Sequence, residues 1–366
     1  MSKFIDFFRK DLLFSISLIL AIFSIIIGRF QTSDIDFSVI ASLFGLMLVI
    51  NGLEDSGVLG SLGEKLVQKS KTQRQLIQSM VFLSFFCSMV LTNDVAILTL
   101  LPIYLKISRA LKNHQTVILG AVYLIIAANL GSSFFPFGNP QNLFLYHFYA
   151  ISISHFFLST GSLMIASFSL LVFATHFISD DSLQIDVQPR AINRKKGSLF
   201  AIFLLVMIAG IFDIFSYQLA LLISVVGVLL IQRKLFRKVD YRLLATFFCF
   251  FVIVGNLQQS QFLLNFLRPL FEKERPTFFT SLFLSQVISN VPAAILSASF
   301  TKHWQAVLMG VNIGGLGTLI ASLANLIGYR LVKLYLPNEQ TLFFKTFTKI
   351  NLALVTILVL LFVWFI

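Results

Sequence analysis

The residues of this chain best suited to chemistry stand where its apolar runs break. Thr92-Asn93-Asp94 interrupts the hydrophobic stretch from Leu76 to Leu105, and Ser289-Asn290-Val291-Pro292 interrupts another from Thr277 to Phe300. Each tip is followed by a longer break bounded by two asparagines, Asn129 to Asn142 and Asn312 to Asn325. Hydroxyls, amides and a single carboxylate hold ions rather than cleave bonds. A helix N-terminus exposed at a break adds N–H donors and positive potential, while an unwound C-terminal end adds carbonyls. Thr92 and Asn93 facing Ser289 and Asn290 could hold an oxyanion. Gly131, Gly138, Gly314 and Gly315 would let bare carbonyls approach a cation such as Na⁺.

Asp94 is the only acidic residue deep in an apolar stretch. A lone carboxylate is expensive inside a membrane, so it is expected to bind a cation, pair with a base or carry a transported proton. The alternative is a cap for the half-helix beginning at Val95, although Ser or Asn would cap without adding charge. Asn51 and Asn256 read as hydrogen-bonding groups between helices. The histidines (His114, His147, His155, His176 and His303) fall near span ends and read as interfacial.

The elements that must position these groups are membrane helices. Of 366 residues, 57% are hydrophobic and 12% charged, about half the charge of a soluble domain. The net charge of +12 is spread over short loops between apolar runs, which fits positive-inside topology and argues against nucleic acid as a partner. Cys87 and Cys249 lie within apolar segments and read as packing residues, with no disulfide and no metal beyond a possible Na⁺. No Walker A motif, His-x-x-Glu pattern or paired intramembrane carboxylate is present, so neither an enzyme nor a primary pump is expected.

The first run, Leu12–Ile27, follows Lys3, Arg9 and Lys10 but lacks a cleavage site, and is expected to remain as a span. Phe37–Leu53 comes next, then a basic loop with Lys65, Lys69, Lys71 and Arg74. The stretch 76–105 is flanked by that loop and by Lys106, Arg109 and Lys112. A re-entrant hairpin with both ends cytoplasmic satisfies the charge rule and leaves Thr92-Asn93-Asp94 at its tip. A broken span, 116–149, and a further span, Phe156–Ile178, complete a first repeat over residues 1–178. Residues 179–198, with Asp180, Asp181 and Asp186 and then Arg190, Arg194, Lys195 and Lys196, form a cytoplasmic linker. The second repeat, 199–366, holds spans Leu199–Phe212, Tyr217–Ile231 and Ala245–Asn256, a hairpin at 277–300, a broken helix at 304–327 and a last span from Asn351. Counting crossings, the first copy enters its hairpin from the cytoplasm and the second from outside. The repeats are therefore inverted, an arrangement that places a transporter's site at their interface near the midplane.

With these residues assembled, the chain resembles the ion transporter superfamily, and within it the arsenite/antimonite permease and citrate-transporter-like group. The resemblance covers nearly the whole chain. It is strongest at Leu91-Thr-Asn-Asp-Val-Ala96, Phe135-Pro-Phe-Gly-Asn-Pro-Gln-Asn142 and Ser289-Asn-Val-Pro292. The related divalent anion/sodium symporters carry Ser-Asn-Thr at both tips and a Pro-x-Gly-x-Pro-x-Asn loop. Carried over by position, the resemblance implies that Thr92, Asn93 and Gly138 form one cation site and, with Asn139, touch substrate. Ser289, Asn290, Ala321 and Ser322 would form the second. Asp94 and Val291 depart from the tip pattern, and Leu323 stands where the second loop often has Pro. The Asn-Asp tip is more similar to the arsenite-permease and sodium/proton-antiporter branches than to dicarboxylate carriers. No Cys lies at the tips to supply a thiolate site for arsenite.

The expected fold is all-α and polytopic, with about nine spans, inverted repeats, two opposed re-entrant hairpins and two broken helices. It lies in the cell membrane, amino terminus cytoplasmic and carboxyl terminus outside, in contact with the lipid bilayer, and by resemblance as a homodimer. The expected function is ion-coupled secondary transport of a small anion such as arsenite/antimonite or another oxyanion. Substrate would meet Thr92, Asn93, Asn139, Ser289, Asn290 and Ser322; coupling would involve Asp94, Asn129, Gly131, Gly138, Asn312, Gly314 and Ala321. There is no cofactor beyond a coupling Na⁺ or H⁺. A sodium/proton antiporter and an ion channel are the rival readings.

Overall fold

The computed structural model describes residues 12–108, 111, 113–183 and 189–366. Lys3, Arg9, Lys10, Arg109, Lys112 and Asp186, whose charge enters the topology argument, lie outside the described residues. The secondary structure of these residues is helical apart from one isolated bridge, Thr72 to Ser182. Helices α1 (Leu12–Ile27), α2 (Phe37–Asp55) and α3 (Val58–Lys69) lead into α4 (Gln73–Leu91) and α5 (Asn93–Ile107), which meet at Thr92. Then come α6 (His114–Ser132), α7 (Pro140–Phe148), α8 (Ile153–His176), α9 (Arg194–Ile211) and α10 (Tyr217–Gln232). A 3₁₀ turn, Arg233–Lys238, leads to α11 (Tyr241–Gln259) and α12 (Gln261–Phe271). Helices α13 (Glu274–Ile288) and α14 (Asn290–Ala298) meet at Ser289, followed by α15 (Trp304–Gly314), α16 (Leu323–Tyr335) and α17 (Gln340–Phe362). Seven helical segments among the described residues are long and apolar enough to cross a membrane by themselves.

Helix starts are fixed by local chemistry. The Asp36 carboxylate accepts from the Ser38 and Val39 N–H groups to start α2, and Asp240 does the same for α11 at Arg242 and Leu243. Asn139 accepts from the Asn142 N–H to start α7, with Pro140 in the first turn, where its missing donor costs nothing.

The order α2 to α8 recurs as α11 to α17, element for element. Two shared cavities show that the copies run in opposite directions. Ser38, at the start of α2, and Gln258, at the end of α11, line one cavity, whereas Asn51, late in α2, and Leu243, early in α11, line the other. The copies also interlock: α5 packs on α16 of the second copy, and α14 on α7 of the first. Two apolar cores result. One is centred on α4, α5 and α6, with Phe343 and Phe347 of α17; the other joins α2, α7, α9, α11 and α14.

The expected basic loop after α2 contains a helix, and so does the segment between α11 and α13. In α3, Leu59, Gly63 and Val67 form a buried stripe while Lys65 and Lys69 stay exposed. In α12, Phe262, Phe266 and Leu270 are exposed along one face, a pattern suited to the bilayer interface. The second broken helix continues past Ile327 to Tyr335, and the last span begins at Gln340 rather than Asn351. Charge hid the latter: Lys345 and Lys349 are exposed, while Phe343 and Phe347 on the other face are fully buried.

The basic segments converge. Lys196 and Lys238 both reach the Asp55 carboxylate, at 2.6 and 2.9 Å, Arg190 pairs with Glu64 at 2.7 Å, and the Gln73 N–H donates to the Asp181 carbonyl at 3.0 Å. The linker therefore docks on the segments around α3 and the start of α4. Elsewhere, Arg275 lies over the Trp364 ring at 5.1 Å, joining the start of α13 to the carboxyl-terminal end.

Candidate functional site

The two hairpin tips share one unusual backbone conformation. Thr92 has φ 73° and ψ 153°, and Ser289 has φ 74° and ψ 152°. Side chains other than glycine rarely occupy this region, at a cost of about 1–3 kcal/mol. The same strain at equivalent positions of two oppositely running copies indicates one design used twice.

Between the tips lies a buried amide network with matching symmetry. Asn129 Nδ2 donates to Asn325 Oδ1 at 2.8 Å, and Asn312 Nδ2 donates to Asn142 Oδ1 at 2.7 Å. Each donor also reaches back one turn, to the Ile125 and Leu308 carbonyls respectively. Asn129 Oδ1 accepts from Ser322 Oγ at 3.0 Å, and Asn312 Oδ1 accepts from Asn139 Nδ2 at 3.2 Å. Asn142 donates to the Ser133 and Phe135 carbonyls, and Asn325 to those of Gly315, Leu316 and Thr318, so each break is closed by the asparagine that ends it. The end asparagines thus satisfy carbonyls that unwinding would leave bare. Asn93 joins the network by donating to Asn129 Oδ1 at 3.3 Å.

The glycines bring hairpin and broken helix together. A Cβ at Gly131 would collide with the Phe85 carbonyl of α4, and one at Gly314 would lie 2.8 Å from Ser285 Cβ and 3.0 Å from the Leu282 carbonyl of α13. A Cβ at Gly138 would strike the Ser132 carbonyl. Gly131 and Gly314 therefore serve close packing at equivalent places.

Around this core the copies differ. Thr92, Asp94 and Asn139 line a cavity of about 140 Å³ with Asn51, Phe137 and Pro140, and Lys238 and Asp240 belong to its wall. That volume accommodates several waters or a small ion. The Asp94 carboxylate has no hydrogen-bond or ion-pair partner among the described residues; only its N–H is engaged, with Asn93 Oδ1 at 3.0 Å. It does not cap the half-helix in the sense of accepting its N–H groups. Lys238 is directed to Asp55 rather than to Asp94.

In the second copy, the Asn290 N–H donates to the Ala321 carbonyl at 2.9 Å, tying tip to broken helix. Gln286, which the sequence reading passed over, bridges the break: Nε2 donates to the Gly314 carbonyl at 2.5 Å and Oε1 accepts from the Thr318 N–H at 2.8 Å. Its position, three residues before the strained Ser289, is held by Met89 before Thr92 in the first copy. A lone glutamine in an apolar run at a repeat-equivalent position was the available signal. Asn256 joins helices as expected, accepting from the Arg29 N–H at 2.7 Å and donating to Ser24 Oγ.

A polytopic helical fold of two oppositely running copies, with polar broken helices buried where they meet, defines a membrane transporter. Comparison with known proteins makes the assignment specific: a family model described as citrate transporter matches residues 9–307, and the chain belongs to that family. An uncharacterized transporter of Methanocaldococcus jannaschii is 34% identical over 336 residues, covering 89% of this chain and 90% of its own length. The inner membrane protein YbiR of Escherichia coli is 31% identical over 81% of this chain and 80% of its own length. A putative arsB transporter of Dictyostelium discoideum is 30% identical over 139 residues, 36% of this chain and 24% of its own.

Proposed function

We propose that this transporter is an ion-coupled secondary carrier of a small anion, such as arsenite/antimonite or another oxyanion, across the cell membrane. The observation that carries the reading is the asymmetric site: a symmetric cradle of neutral amides and hydroxyls, with one unpaired carboxylate, Asp94, in a cavity on one side of it. The N-terminus of α5 at tip one offers donors to an oxyanion. Asn93, Asn139, Ser289, Asn290 and Ser322 supply neutral contacts, and Asp94 takes the coupling Na⁺ or H⁺. Charge bookkeeping favours this division, because an anion beside an ionised Asp94 is tolerable only once a cation or proton has arrived. In this reading the carrier is a homodimer with its amino terminus and linker cytoplasmic, and its hairpin-bearing units move against the remaining helices.

A sodium/proton antiporter is the second reading, favoured by Asp240, a second carboxylate in the wall of the Asp94 cavity. The discriminating experiment is uptake by proteoliposomes of arsenite, citrate, dicarboxylates and sulfate under imposed Na⁺ and proton gradients, with Na⁺/H⁺ exchange read in parallel. Anion accumulation supports the first reading. Cation exchange without any anion flux replaces it with the second, and gradient-independent, non-saturating flux makes the protein a channel.

A further inference from the structure

The two half-sites are built alike but finished differently, and the difference lies in the groups a cation would use. In an unwound helix a bound cation is held by carbonyl oxygens turned away from helical partners. In the second copy those oxygens already have donors. The Gly314 carbonyl receives Gln286 Nε2 at 2.5 Å, and the Ala321 carbonyl receives the Asn290 N–H at 2.9 Å. Gln286 Nε2 also donates to the Leu282 carbonyl of its own helix at 3.2 Å, and Oε1 takes the Thr318 N–H. The amide therefore spans the break and satisfies both polarities of its backbone. Gly317 leaves room for it: a Cβ there would overlap Gln286 Oε1.

The first copy has no such bridge: its Gly131 carbonyl takes the Phe134 N–H of the same break, at 3.1 Å, and the Gly138 carbonyl has no donor among the described residues. Met89 stands at the equivalent position and offers no N–H donor. No Asn93 N–H to Gly138 carbonyl bond matches the Asn290–Ala321 bond among the described residues. Two residues past Thr92, where the second copy has Val291, the first carries the Asp94 carboxylate, which lines a cavity without a partner among the described residues.

We propose that Gln286 is a built-in substitute for a second coupling ion: its amide nitrogen takes the place of a cation at the second broken helix, and the carrier runs on a single cation, bound beside Asp94. This rests on the reading of the chain as a coupled carrier and specifies its stoichiometry. Ser289, Ala321 and Ser322 then belong to the substrate cradle and its scaffold, not to a second cation site. The pair of cation sites that the resemblance implies would then be reduced to one by a single side chain.

The test is the accumulation limit in proteoliposomes with the membrane potential held at zero, using whichever of Na⁺ or H⁺ drives uptake. A tenfold cation gradient stores about 1.4 kcal/mol per cation, which sustains about a tenfold substrate gradient for one coupled cation and about a hundredfold for two. Wild-type protein is expected to stop near tenfold; a limit near a hundredfold overturns the proposal. Gln286→Glu replaces the donor to Gly314 with a carboxylate oxygen and should recruit a second cation, lifting the limit above tenfold, an effect that loss of structure cannot mimic. A folded, active Gln286→Glu protein that still stops at tenfold refutes the substitution by Gln286. Absence of any cation-driven accumulation by the wild-type protein would instead refute the coupled-carrier reading itself.

Discussion

Removing either asparagine at the centre of the network should cost the fold a calculable amount. Asn129→Ala deletes four hydrogen bonds and leaves Asn325 Oδ1 and the Asn93 amide without those partners; the Ser322 hydroxyl can turn elsewhere. Asn312→Ala deletes three, stranding Asn142 Oδ1 and weakening the hold on Asn139. A buried polar group left unpaired costs about 1–3 kcal/mol. Measured bonds between membrane helices average nearer 0.6 kcal/mol, because the unfolded chain in lipid also finds partners. Two stranded groups in Asn129→Ala, at the lower end of the first range, give a loss of about 2–3 kcal/mol, and the one stranded group in Asn312→Ala, with Asn139 still held by Ser132, gives about 1–2 kcal/mol. Asn351→Ala is the control: that side chain is equally buried but donates only one turn back in its own helix, to Phe347, and its Oδ1 has no partner among the described residues. Its loss should stay below about 1 kcal/mol. The assay is equilibrium unfolding of the purified protein in mixed micelles. If Asn129→Ala and Asn312→Ala unfold no more easily than Asn351→Ala, the amides do not join the two copies as described. If one is costly and the other harmless, the two-fold symmetry of the network is wrong.

Further expectations follow from the tips and the close contacts. Thr92→Gly and Ser289→Gly each relieve about 1–3 kcal/mol of backbone strain against about 0.5–1 kcal/mol of added chain entropy; both should hold or raise the unfolding midpoint while slowing transport, and a lower midpoint would show that the tip conformation is unstrained. Gly131→Ala forces a methyl group against the fixed Phe85 carbonyl and should cost about 1–3 kcal/mol. Gly314→Ala should cost a comparable amount, whereas Gly161→Ala, with open space around it, should be neutral or slightly stabilising in the same measurement.

Much of this architecture could be read from the chain because a bilayer narrows the choices. Apolar length marks the spans, and a break inside one is tolerated only where protein or water covers it. That logic placed the helix ends at Thr92, Ser289, Asn129 and Asn312 to within a few residues and paired the two copies. It failed where charge shares a helix with a buried face: Lys65 and Lys69 concealed α3, and Lys345 and Lys349 concealed the first turns of α17. The network was legible as residue types but not as pairs. Nothing local says that Asn129 reaches Asn325 while Asn312 reaches Asn142, since those contacts exist only once the copies interlock. Gln286 escaped notice for a related reason. Its Met89 counterpart is apolar, so a search for features common to both copies passes over the residue that distinguishes them.

In the proposed carrier, the single unpaired carboxylate beside a symmetric amide cradle couples transport to a cation. The most direct test is uphill substrate accumulation in proteoliposomes under an inward Na⁺ or proton gradient, comparing wild type with Asp94→Asn. Accumulation above the external concentration is expected for the wild type, and for the folded variant only equilibration, unaffected by the gradient. Equal gradient-driven accumulation by both proteins would contradict it and leave Asp94 with no role in coupling.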